Sequence, residues 1–432
     1  MKKALFFPLQ VSLYTVGYFY ATGSIAKAQI TSDGTVNTIV TPDGNIAEIT
    51  GGETREENLF HSFQDFSVGI GNEAFFNNAN DISNIFSRVT GGNISNIDGA
   101  IRANDANLFL INPAGILFGN NASLNIGGSF YGSTASSVLF EDGEFSAVDN
   151  LEQPVLTVNA PIGLSFRDNP GDITVRGNGQ GTGIEGGEII DTEDALKVDS
   201  NQTFALVGGN LLFEGATIKT AGGRIELGSV EGNQEVSLTP VEEGFSLGYD
   251  GVQNFRDIQL SQTTSIDASG EDGGQINVSG NNISITRVPN NDISIDNFSG
   301  FISLTLGNNS GENVMGGNIN IVAQGSLEIS GVENEAQLFT GVFNQTLPNS
   351  TGDAGNIDIT AQTLDIKNNN ARLSTRNEGI GNAGNVTLNI ADSLVISNRA
   401  NINTQTLGSG SGNAGDVRIQ AILILKRASR FL

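Results

Sequence analysis

Cysteine and tryptophan are absent from the 432 residues, and histidine occurs once. With no thiol the chain can form neither a disulfide nor a cysteine-based metal or nucleophilic site. The single histidine, His61, excludes multi-histidine metal centres and leaves one base for a Ser-His-Asp arrangement. Positive charge is scarce: 21 Lys and Arg face 47 Asp and Glu, a net charge of −26. Such a surface repels phosphate backbones, so nucleic acid is not expected as a partner. The acids are scattered among Gly, Asn and Ser as on a solvated face, and neither a metal nor another cofactor is expected. Beyond residue 28 no stretch is apolar enough to cross a bilayer as a helix. Helical pattern is also missing, since no window of ten or more residues carries a capped 3.6-residue apolar period.

The first residues form a recognisable address. Lys2 and Lys3 precede an apolar stretch that ends at Ala26, Lys27 and Ala28, with small residues where a signal peptidase reads. Pro8, Gly17 and Gly23 argue for removal of this stretch over retention as an anchor. A signal peptide is therefore expected at 1–28, and its loss moves the net charge from −26 to −29.

Glycine is abundant, at 56 residues, and much of it punctuates a repeat. The strand pattern recurs as GGRIEL from 222, GGQINV from 273, GGNINI from 316, AGNIDI from 354, AGNVTL from 383 and AGDVRI from 414. Spacing between the second residues narrows from 43 and 38 to 29 and 31. A constant motif with a drifting period describes coils of one cross-section joined by unequal loops. Further alternating strands follow each motif, as in TLDIKN from 363 and ARLSTR from 371, so each unit holds three short strands. Three strands per turn predict an all-β, three-sided parallel solenoid. Asn318, Asn356, Asn385 and then Asp416 follow the motif glycine; they either stack as a hydrogen-bonded ladder or simply suit turn geometry.

The run NLFLINPAGILFG at 107–119 stands apart. Leu108, Phe109, Leu110 and Ile111 leave no polar face, so that strand must be covered on both sides. Asn112, Pro113, Ala114 and Gly115 fill the four places of a type I turn, and Ile116 resumes a strand. The regular coils can bury only the inner face. A covering element outside the coil is therefore predicted, drawn from residues 29–80 or 130–170.

Asn112-Pro113-Ala114-Gly115-Ile116 resembles the Asn-Pro-Asn-Gly-Ile signature of the filamentous haemagglutinin amino-terminal family, the secretion domain of two-partner secretion exoproteins. The similarity extends over FSRVTGGNISNIDGAIRANDANLFLINPAGILFGNNASLNIGGSFYGSTA, residues 86–135. Two departures exist: Ala114 replaces the second Asn, and no Asn-Pro-Asn-Leu signature stands upstream. The resemblance implies a right-handed parallel β-helix with extra-helical β elements near the N-terminus. It also implies a partner, an outer-membrane pore with periplasmic polypeptide-binding domains, and a secreted or cell-surface location with an adhesin or surface-filament role. A glycan or other cell-surface ligand is the second partner expected. Asn112, Pro113, Ala114, Gly115 and Ile116 are the expected secretion motif. The expected organisation is a secretion domain at 29–165, a loop-rich excursion at 166–203, β-helical repeats at 204–420 and an atypical, truncated end at 421–432.

Catalysis has little to draw on, and no catalytic residue is expected. His61 lies between Phe60 and Phe63 and reads as a packed side chain, although Asp65 is near in sequence. GNGQGTG at 177–183 lacks the Gly-Lys-Ser/Thr of a phosphate loop and reads as a connection. The enzymatic alternative is a β-helical polysaccharide lyase or hydrolase, with Asp358 and Asp365 as carboxylates beside Lys367, Arg372 and Arg376. Solvated outward positions are the preferred reading of these five.

Overall fold

Alternating aliphatic and polar residues give each strand one face for a core and one for water. The computed structural model describes residues 29–149, 154–185, 188–190, 194–288, 296–307, 314–333, 338–348, 350–407 and 412–427, and every regular element among them is a β-strand. The expected signal peptide lies outside the described residues.

The strands stack in parallel on three faces. The first face runs from Asn58–Ser67 through Asn84–Val89, Asn107–Ile111, Phe130–Ser133, Thr203–Gly208, Arg224–Ser229 and Gln275–Gly280. It continues in 319–323, 357–361 and 386–390 and reaches Val417–Gln420. The second face includes Ser95–Ile97, Ile116–Phe118, Ile173–Arg176, Leu211–Glu214 and Ile258–Ser261. The third includes Glu73–Phe76, Ala100–Ala103 and Ser123–Ile126, and later Asp296–Thr305, Leu338–Thr346, Ala371–Asn377 and Asn401–Thr406. This is the expected three-sided parallel β-helix, and all six motif strands fall on its first face.

The repeat glycine has a steric cause. A Cβ added to Gly317 would lie 2.2 Å from the Gly274 carbonyl oxygen, one on Gly355 2.0 Å from that of Gly317, and one on Gly384 1.9 Å from that of Gly355. Each motif glycine thus stacks on the backbone of the one before, and any side chain would push the coils apart. The asparagine ladder is also present. The Asn318 Oδ1 accepts from the Asn356 N–H at 2.9 Å, the Asn356 Oδ1 from the Asn385 N–H at 2.8 Å, and the Asn385 Oδ1 from the Asp416 N–H at 2.8 Å. These bonds satisfy corner amides that lie beyond the strand ladders.

Outside the helix, an antiparallel sheet ordered Gly143–Ser146, Ser137–Phe140, Gly163–Phe166, Gln234–Pro240 and Phe245–Gly248 lies on the first face. It closes a second core with Phe60, Phe86, Phe109, Ile111 and Tyr131 from the helix and Val138, Phe140, Phe145, Leu164, Phe166 and Phe245 from the sheet. The predicted cover over 108–111 is therefore there, supplied by 137–166 and also by 234–248, which had been expected as ordinary repeat. At the opposite end from the repeats, Gln29–Ser32 and Glu53–Arg55 pair antiparallel with Asn58–Ser67 and cap the first coil.

Two expectations need correction. The segment 166–203 is not one loop-rich excursion: Ile173–Arg176 is a second-face strand between Ile116–Phe118 and Leu211–Glu214, and Leu196–Lys197 pairs on the third face. Among the described residues of the segment, the part that departs from the coil strands is the antiparallel hairpin of Thr182–Glu185 and Glu188–Ile190, whose first strand pairs antiparallel with Asp296–Thr305. The end expected as atypical at 421–432 also continues the coil in its described part: Leu423–Arg427 pairs in parallel with 393–397 as a second-face strand. Residues 428–432 lie outside the described residues.

Candidate functional site

The strands Asn107–Ile111 and Ile116–Phe118 meet at the turn made by Asn112, Pro113, Ala114 and Gly115. The Gly115 N–H donates to the Asn112 carbonyl at 3.1 Å, and Ala114 has no positive φ, so the turn is type I as expected. Asn112 is fully buried and its side chain is saturated. Its Oδ1 accepts from the Ala114 N–H at 3.0 Å, and its Nδ2 donates to the Asn93 carbonyl and the Ser95 Oγ, both at 2.9 Å.

Backbone bonds tie the same corner to both neighbouring coils. The Ser95 N–H donates to the Gly115 carbonyl at 3.1 Å, on the side of the preceding coil. Towards the following coil, the Asn112 N–H donates to the Ser133 carbonyl at 2.9 Å, the Gly171 N–H to the Pro113 carbonyl at 3.0 Å, and the Ile116 N–H to the Asp172 carbonyl at 3.1 Å. Gly115 has φ +129°, and a Cβ there would meet the Asp172 carbonyl oxygen at 3.1 Å. Ile116 is buried in the main core, while Pro113 and Ala114 are half-buried at the turn's outer side. All five residues therefore lie in one place, as a bonded corner with no nucleophile or titratable group.

The outer side of the preceding strand is an aromatic column. Phe60, Phe86, Phe109 and Tyr131 share one register position, and successive ring centroids lie 5.2, 4.9 and 4.3 Å apart. The Tyr131 hydroxyl donates to the Phe245 carbonyl at 3.2 Å and accepts from the same residue's N–H, which pins the cover sheet to the column. Burial pushes this phenol up to about 12. The same register position continues as Ala205, Glu226, Asn277, Asn320 and Asp358. The column thus turns polar at Glu226, which is still buried, and stays polar beyond it.

His61 is a packed side chain. It lies in the core against Phe63 and Phe76, with Nδ1 3.2 Å from the Thr38 Oγ1, and burial pushes it down to about 4. Asp65 accepts from the Asn93 Nδ2 at 2.7 Å, with Thr31 Oγ1 near its other oxygen, so no triad forms around His61. GNGQGTG leads into the Thr182–Glu185 hairpin and no helix follows it. Asp358 belongs to the first face, Asp365 and Lys367 to the second, and Arg372 and Arg376 to the third, so the five residues of the lyase alternative do not converge. Among the described residues no group of three or more His, Cys, Asp or Glu is placed to hold a metal.

Glu226 and Arg88 are among the buried ionisable residues that escaped the sequence reading. Glu226 is 1% exposed; burial pushes its carboxyl up to about 7 against the opposing pull of Asn277 and Arg224. Arg88 is fully buried beneath the cover sheet, and burial lowers it to about 10 although Asp33 opposes the shift. Both occupy outward positions by alternation, which ordinarily means solvent. Only the apolar residues in register with Arg88, such as Ile111, signal that this part of the face is covered.

Comparison with curated proteins finds no match. Among solved structures, the chain is similar to the HMW1 secretion domain from Haemophilus influenzae, with 17% identity, a TM-score of 0.50, and coverage of 93% of this chain and 99% of that one. The filamentous hemagglutinin secretion domain also matches, at 14% identity and a TM-score of 0.34, with the same coverage. The first likeness is one of fold. The family described as the TPS secretion domain matches residues 28–281, more than half of the chain. The chain therefore belongs to the TPS secretion-domain family and is a two-partner secretion exoprotein.

Proposed function

We propose that this chain is carried out of the cell by an outer-membrane pore whose periplasmic domains bind its unfolded amino-terminal part, and that the corner at Asn112, Pro113, Ala114, Gly115 and Ile116 is required for that export. Family membership over residues 28–281 is the observation that carries this reading. Edge-strand addition is a physically sound way for an exporter to hold an unfolded, strand-forming segment. Emerging chain then folds onto coils already formed. Each added coil buries apolar surface and fills a free ladder edge, which biases movement outward without nucleotide at the outer membrane.

In this reading the rod is secreted or surface-held and serves as an adhesin or filament, its loops meeting glycans or other surface ligands. We place the folding unit of the secretion domain at 29–281, with a repeat shaft beyond it; the end of the family match at 281 and the drawing of cover strands from both 137–166 and 234–248 support this limit.

The test is replacement of the corner. Asn112→Ala leaves the partners Asn93 and Ser95 without their donor, and Gly115→Ala places a Cβ against Asp172. Each should lower the protein recovered from the medium at least tenfold when the paired exporter is present. Undiminished secretion of both variants would overturn the assignment of this corner.

A further inference from the structure

The segment that follows the first strand, residues 33–36, has no strand partner and is held largely by side chains. At its centre the Asp33 carboxylate accepts from the Ser62 Oγ at 2.6 Å, the Thr90 Oγ1 at 2.9 Å, and the Thr35 N–H and Oγ1 at 2.9 and 2.8 Å. Two of those hydroxyls are shared with the buried guanidinium of Arg88. Its Nε donates to the Ser62 Oγ and its Nη2 to the Thr35 Oγ1, each at 2.7 Å. The third direction leaves the helix altogether. Nη1 donates to the carbonyl of Ser146 in the cover strand Gly143–Ser146, and the guanidinium carbon sits 4.6 Å above the Phe145 ring.

From this geometry we propose that Arg88 is a latch: it fixes residues 33–36 against the first two coils only once the cover strand Gly143–Ser146 has docked over it. The physical reason is desolvation. With the cover absent, water reaches the guanidinium and competes for Ser62 and Thr35; with it docked, water is excluded and the charge is held by fixed acceptors and an aromatic face. The amino-terminal segment therefore settles after a strand that lies more than a hundred residues later in the chain. Resting on the export reading, this device keeps the amino terminus available to the exporter until residue 146 has emerged.

Hydrogen exchange on the purified full chain tests the latch without reference to export. Arg88→Met keeps the aliphatic stem and removes the donors. Amide exchange over 30–36 should rise at least tenfold, while protection over 107–118 remains within twofold of the unsubstituted chain. Thr35→Val removes one hydroxyl relay and should raise exchange over the same segment by a smaller factor, a second reading if Arg88→Met does not fold. Protection at 30–36 unchanged in Thr35→Val and in folded Arg88→Met rejects the latch. Secretion of the Asn112→Ala chain reports on export alone, so failure of one idea leaves the other measurable.

Discussion

Glu226 and His61 are each buried in a form that conflicts with the unfolded chain's ordinary protonation, and they do so in opposite directions. Glu226 is raised from 4.5 to about 7, so the folded state keeps a proton that the unfolded state loses. Its contribution is intact below pH 4.5 and falls as pH rises towards 7. His61 is lowered from 6.5 to about 4, so the unfolded state takes up a proton that the folded state refuses. Its contribution is intact above 6.5 and falls as pH drops towards 4. At about 1.4 kcal/mol per pH unit, each amounts to about 3 kcal/mol, and over pH 4.5–6.5 their slopes oppose one another. Glu226→Gln should therefore stabilise the protein increasingly from pH 4.5 to 7 and by a constant amount above it. Urea unfolding of the variant and the unsubstituted chain across that range checks this; a difference that does not vary with pH would show that Glu226 ionises normally in the fold.

Individual strands owe their positions to stacking more than to propensity. The glycine column makes the point, since Gly355 has Ala354 and Asn356 beside it in a pattern repeated at Gly384, and the repeat tolerates Ala or Gly before but not after. Gly355→Ala should cost about 1–3 kcal/mol by overpacking. The loss should be localised: exchange in 357–361 and in its neighbours rises, while the cover sheet is unaffected. Equal exchange profiles for the two proteins would mean that the coils can separate freely at that corner. The cover sheet depends on a different contact. Phe109 stacks between Phe86 and Tyr131 and meets Phe245 edge-on at 5.9 Å, so Phe109→Ala should cost about 3–5 kcal/mol. Retention of full stability by that variant would deny the column any role in holding the sheet.

The molecule as a whole divides by what covers its first face. From Phe60 to Tyr131 the outward column is aromatic and lies under the antiparallel sheet; from Asn277 onward the same column is polar and bare. Simple coil-by-coil growth fits the bare part only. In the covered part, strands 137–166 must wait for 234–248 before their sheet is complete. A chain shortened to end at residue 233 should expose the Tyr131 end of the column and bind a hydrophobic dye strongly, whereas one ending at 281 should bind little. Equal dye binding by the two would contradict a folding unit that spans both.

Periodicity alone fixed the coil. Two-residue alternation and the returning glycine are local consequences of stacking identical backbones and could be read before any contact was known, whereas the Asn after the glycine left stacking and turn preference open until the ladder was seen. The type I corner at 112–115 was legible for the same reason, because Asn, Pro and Gly act on their own backbone. Alternation has a limit, however: it says which residues point outward and nothing about what lies there. That is why Ile173–Arg176, with its single aliphatic pair among glycines, passed for loop, and why strands 234–248 passed for repeat. It is also why nothing in the alternation marked Arg88 and Glu226, outward by register, as buried. Only tertiary structure, by laying a distant antiparallel sheet over part of one face, decided which outward positions became a second core and which stayed in water.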